Sequence, residues 1–273
     1  MATARNALAL FLSLGTGTAA LAANLASAPQ ALAQHQHHGA AMAPNAAAPA
    51  ITEGGEGGEG GEGGQSTEVR SDVEFLAVLS QMQGHLLMAQ DLLSQGQFAA
   101  AEPHVGHPAD ELYGALEPAM RQRQLPPFLA TLEALRQQVR LNPGAASTAE
   151  KLANAQQTIA RTAAAGVPAA VRANPDTVAA VVRQLGLTAS SEYAGAVAGD
   201  RVVELIEYQD GRGFLLEAKR LLNSAISGSS SSPTNLNRQL KAIDAMLQAF
   251  PAVMPPARTQ LSPSQLEQLA EQL

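Results

Sequence analysis

The sequence predicts an all-α protein, a helical bundle of two related helical halves behind a disordered N-terminal tether. Three observations predict it. Beyond position 70, apolar residues recur at helical spacing, first as Val73, Leu76, Leu79, Leu86, Leu87, Leu92 and Leu93. These stretches are bounded by capping sequences and by proline or glycine. Strand-like alternation of apolar and polar residues extends over no useful length.

Taken in order, residues 1–33 read as a secretory signal peptide. Arg5 is their only charge, an apolar stretch runs from Ala7 to Ala26, and Ala31-Leu32-Ala33 offers small residues before a cut at Gln34. There is no twin arginine and no cysteine after the apolar stretch, which points to general export and away from a lipoprotein. The mature chain is therefore expected in the periplasm or outside the cell, with no membrane span. Residues 34–70 form the tether, His/Ala/Pro-rich and then "EGGEGGEGGEGGQ", which has almost nothing to bury.

The helical domain is placed at 71–250. "SDVE" at 71–74 is a capping box that opens the first helix, which "SQGQ" at 94–97 ends. A short turn is expected through Phe98–Ala101, and Pro108 opens a helix through "ADELYGALEPAMRQR". Pro126-Pro127 opens the next, which stops at Asn142-Pro143-Gly144. "STAE" at 147–150 reads as a second capping box. Asn174-Pro175 starts "DTVAAVVRQLGL", followed by a short helix near Ser191–Ala198, a turn at Gly199-Asp200 and a long helix from about Val202 to Ile226. A helix from about Leu236 to Phe250 precedes a Pro-rich break, and "SPSQ" at 262–265 caps a last short helix within 251–273.

A repeat lies inside the domain. "QGHLLMAQDLL" (83–93) and "RGFLLEAKRLL" (212–222) share six of eleven positions at an offset of 129. The halves are placed at about 71–145 and 147–250. Glycine in a helix interior costs about 1 kcal/mol relative to alanine, so Gly84 and Gly213 are expected where two long helices cross closely.

Composition bounds the function. Removal of residues 1–33 leaves 16 basic and 24 acidic side chains, a net charge of −8, which argues against a nucleic-acid surface. There is no cysteine, so thiol chemistry and cysteine-based zinc sites are excluded. No G-x-S-x-G, H-E-x-x-H or phosphate loop is present, and an enzyme is not expected.

The six histidines carry the chemistry. His85 stands where the second half has Phe214, with Met82 and Met88 three residues to either side. His104 and His107 follow in "EPHVGHPADELY", with Glu111 four residues after His107. Imidazole and thioether ligands suit copper, and imidazole suits zinc or iron. A packed core histidine is the plain alternative for His85. His35, His37 and His38 lie at the new N-terminus, where a His-rich tract can chelate metal weakly. Glu204, Glu207 and Asp210, at i, i+3 and i+6, offer carboxylates on one helical face, either a second site or the other wall of the first.

"EYAGAVAGDRVVELIEYQDGRGF" (192–214) resembles a stretch of the soluble periplasmic extension of bacterial high-affinity iron permeases. The region 83–118 resembles uncharacterised exported helical proteins of proteobacteria with a Gly/Glu-rich tether. The permease's Arg-Glu-x-x-Glu motif and its membrane helices are absent. The resemblance implies a periplasmic accessory to metal uptake, with a membrane permease or another envelope protein as partner. It carries Tyr193, Glu207, Tyr208 and Asp210 over as family positions. The expected function is thus to bind or hand on a transition metal, iron or copper. The competing one is a metal-free helical module that docks an envelope partner.

Overall fold

A computed structural model describes residues 69–228 and 234–273. The expected signal peptide, the tether up to residue 68, and His35, His37 and His38 lie outside the described residues. Helix α1 (Asp72–Ser94) opens on the capping box: the Glu74 amide donates to Ser71 Oγ at 3.1 Å and the Ser71 amide to the Glu74 carboxylate at 2.9 Å. It ends in a Schellman turn. Gly96 takes φ +71°, and the Gln97 and Gly96 amides return to the Leu92 and Leu93 carbonyls.

The next stretch differs from expectation. Helix α2 (Phe98–His107) passes without a break through a π-helical turn (Pro108–Leu112) into α3 (Tyr113–Gln122). Pro108 does not start a helix. It has no amide to donate, so the ladder can slip there to wider spacing, and the Tyr113 amide bonds the Pro108 carbonyl five residues back. Burial of Ala101, His104, Val105 and Gly106 keeps the stretch after Phe98 helical beyond a single turn.

Helix α4 (Leu129–Leu141) ends where Asn142-Pro143 predicts, and α5 (Ala146–Gly166) follows. The expected "STAE" cap is not used. The helix begins before Ser147, and the Thr148 hydroxyl donates instead to the Asn142 carbonyl at 2.7 Å. After the short α6 (Ala169–Arg172), α7 (Pro175–Ala196) is capped by the Asn174 side chain. It is one helix and not two pieces, with Gly186 in its interior against the Leu273 side chain.

Strands β1 (Val197–Ala198) and β2 (Arg201–Val202) make a two-residue antiparallel ladder around Gly199, φ +65°. That ladder delays α8 (Leu205–Gly228) by three residues. Helix α9 (Thr234–Met246) runs into a 3₁₀ turn (Leu247–Ala249), and α10 (Pro263–Glu271) carries the capping box of Ser262 and Gln265.

The described residues fall within one compact unit, Glu56–Leu273. Two large apolar clusters and a small third one fill it. The first gathers α1 to α5, including Phe75, Leu86, Leu116, Leu132 and Ile159. The second gathers α7 to α10 around Tyr193, Tyr208, Phe214 and Phe250. Helix α5 thus belongs to the first core, which extends to Val167, beyond the boundary drawn near 146.

The two repeat helices, α1 and α8, cross at the repeat glycines. A Cβ on Gly84 would lie 2.8 Å from Phe214 Cδ1 and 3.0 Å from the Gly213 backbone carbon, and one on Gly213 would meet the Gly84 carbonyl. His85 and Phe214, equivalent in the repeat, stack edge to face with centroids 5.0 Å apart. No helix among the described residues is long and apolar enough to cross a membrane.

Candidate metal centre

The crossing places a histidine helix against an acidic one. Gly84 brings α1 so close to α8 that the next residue, His85, reaches Asp210, less than a turn before Gly213. Helix α2 packs on both and adds His104 and His107, one turn apart on one face. Among the described residues His85, His104, His107 and Asp210 form a group whose ligand atoms all lie within 4.8 Å of one another.

Each of these three histidines turns Nδ1 toward the carboxylate. His85 and His104 both contact Asp210 Oδ1 at 2.7 Å, and His107 contacts Oδ2 at 3.1 Å. His85 and His104 are fully buried and the Asp210 side chain is 5% exposed, whereas the His107 side chain keeps 19% exposure. Glu111 stands outside, 3.7 Å from His107 Nε2, as the solvent-side neighbour of the group.

Electrostatics follow from the geometry. Burial alone would raise the Asp210 carboxyl, but the charges of His85 and His104 and hydrogen bonds from His104 and His107 hold it well below the usual carboxylate range. Burial lowers His107, but its hydrogen bond to Asp210 and the charge there outweigh it, so the ring's pKa is raised. The remaining acids of this region are taken. Glu102 pairs with Arg136 and Arg140, and Asp110 with Arg136.

Gln209 completes the site. Its Nε2 donates to the Val253 carbonyl at 3.2 Å, so its amide oxygen is the atom 2.9 Å from His104 Nε2. An oxygen there accepts only, so the network assigns the His104 proton to Nε2. In a neutral ring, His104 Nδ1 would then face Asp210 Oδ1 as a lone pair against an anion. Either a second proton on the ring or a cation must hold the two together. This donor set, three inward imidazole nitrogens and a carboxylate with one histidine fixed by an outer partner, fits a transition-metal ion.

The carboxylates of 204–210 do not act together. Glu204 lies exposed before the first turn of α8. Glu207 sits about 60° around the helix from Asp210, and its carboxylate turns toward Gly195 of α7. Burial, then the charges of Glu204 and Asp210, raise its pKa. Only Asp210 of the three joins the histidines. Met82 packs in the first core, and Met88 in a small cluster with Leu92, Ala101 and Val253. Tyr193 and Tyr208 pin the Pro-rich segment, donating to the Leu261 and Ala252 carbonyls at 2.7 and 2.9 Å, and burial pushes the Tyr208 hydroxyl up to about 12.

Residues 168–273 match the family model described as the iron permease-associated 4-helix bundle domain. That segment holds α6 to α10, with Gln209 and Asp210, while the three histidines lie before it. No curated protein and no solved structure matches the chain.

Proposed function

We propose that this chain binds a transition-metal ion, iron or copper, at His85, His104, His107 and Asp210, and that it serves metal uptake or homeostasis outside the cytoplasm beside a membrane permease. The observation that carries the reading is the convergence of three Nδ1 atoms on one buried carboxylate, with the His104 proton committed to Gln209. A neutral imidazole is the metal-binding form, so loading releases protons. The donors are nitrogen and oxygen, which favours Fe²⁺ or Cu²⁺ over the softer Cu⁺. Similarity of 168–273 to an iron permease-associated domain favours iron. Binding and transfer, not catalysis, is the role assigned.

Protein isolated from its native envelope and submitted to metal analysis tests the reading. One iron or copper per chain is expected, lost on substitution of His85 and His104 together. Protein that carries neither metal, and that neither Fe²⁺ nor Cu²⁺ stabilises against heat, would leave the cluster a structural network and favour a metal-free docking module.

A further inference from the structure

A cavity of about 600 Å³ opens between α1, α5, α6, the start of α7 and the later turns of α8. It lies on the far side of the Gly84–Gly213 crossing from the histidines. Its walls are apolar at Leu79, Ile159 and Val181, and its ionisable groups are Arg172, Glu217 and Arg220. That volume is within the range of small-molecule sites.

Glu217 is the unusual member. It is 1% exposed, and in the repeat it stands where the first half has Met88. Packing alone does not call for a buried carboxylate there. Both Glu217 oxygens accept from Arg220, from Nε and Nη2 at 2.6 Å each. Burial pushes the Glu217 carboxyl up while Arg220 draws it back. The carboxylate therefore fixes one guanidinium plane at the cavity wall and leaves Nη1 and the second Nη2 proton to another acceptor. Arg172 is anchored likewise, its Nε donating to the Val167 carbonyl at 3.0 Å. Two guanidiniums against one carboxylate leave the cavity a charge of +1. In the repeat Ser80, also lining it, takes the place of Gln209, so the two sides of the crossing carry different chemistry on related helices.

We propose that this cavity binds an amphipathic organic acid, its carboxylate held by Arg172 and Arg220 and its apolar body lying on Leu79, Ile159 and Val181. The site is separate from the histidine cluster and stands whether or not that cluster binds metal.

Octanoate, octanol and octyltrimethylammonium, titrated calorimetrically into the full exported chain after chelator treatment, test it. Octanoate should bind one per chain, about tenfold or more tighter than either of the others, because charged hydrogen bonds to guanidinium are lost in both. Arg172→Gln leaves the Glu217–Arg220 pair in place and should weaken octanoate by about tenfold while sparing octanol. Ala163→Phe fills the cavity and should abolish both. The proposal is overturned by absence of saturable octanoate binding, by octanol or the cation binding as tightly, or by octanoate binding unchanged in Ala163→Phe. The ligand series on the parent chain needs no variant, so it decides the matter even where a substitution unfolds the protein.

Discussion

His85 is conspicuous in the sequence because an ionisable ring stands where the second half of the repeat has Phe214. The structure gives that ring a partner, since it reaches Asp210. His85→Phe should therefore abolish core metal binding, and it should cost the metal-free protein about 1–2 kcal/mol by removing a buried charge-assisted hydrogen bond. Metal titration and melting of the same preparation check both, and unchanged affinity would refute the site. Gln209 left no such mark. A glutamine between Tyr208 and Asp210 neither titrates nor ligates, and its meaning depends on the Val253 carbonyl, 44 residues away in the chain. Its truncation, Gln209→Ala, frees the His104 tautomer and should weaken metal binding about 10- to 100-fold, at a stability cost of about 1–3 kcal/mol from the buried partners it leaves unpaired. An affinity equal to the parent's would show that the outer hydrogen bond does not orient the ring.

At the scale of elements, the crossing is the clearest case of a legible feature. Two interior glycines at matching places in a repeat meant close approach, and the helices touch there. An added Cβ on Gly213 meets the Gly84 carbonyl, and backbone does not yield as a side chain would. Gly213→Ala and Gly84→Leu are each expected to cost about 1–3 kcal/mol through overpacking; a melting temperature equal to the parent's in both would remove the argument. Glu204 and Glu207 show the opposite limit. Helical spacing says which residues share a face, not which neighbour that face meets, and α7 takes Glu207 while the histidine helices take Asp210. Pro108 is a start signal by frequency that a continuous helix overrides, whereas at "STAE" the helix starts before Ser147 and Thr148 turns to the Asn142 carbonyl. Helix α2 is held to α4 by Glu102. Burial pushes that carboxyl up, but Arg136 and Arg140 bring it below its ordinary value. Its contribution is present above the unfolded pKa, near 4.5, and is lost as pH falls through the lower folded value. Glu102→Gln should thus destabilise at pH 7 and match the parent in acid, in denaturant titrations across that window. A stability difference that persists unchanged into acid would contradict the pairing.

At the scale of the whole molecule, α1 belongs to both cores. Phe75, Leu79 and Met82 face the first, and Ala77 enters the second. The cores also share the Gly84–Gly213 seam, so neither half is expected to unfold alone. Calorimetry should show one transition, moved upward by metal as binding to the native state alone requires, by about 2.7 kcal/mol at a hundredfold excess over Kd. Two separate transitions, with metal shifting only one, would mean that the site does not bridge the halves. The repeat suggests two halves but not how far they merge, because a helix that serves two cores reads the same as a helix that serves one.

Asp210 is 125, 106 and 103 residues along the chain from His85, His104 and His107. The ligand set therefore has a high contact order, and closing such long loops comes late in folding. A nascent or translocating chain presents only scattered side chains of weak affinity. If the chain binds metal as proposed and is exported unfolded, it cannot carry an ion across with it, and the metal it would take is the one available where it folds. Selection between metals would then rest partly on the compartment in which the last helices dock, and not on the donor atoms alone.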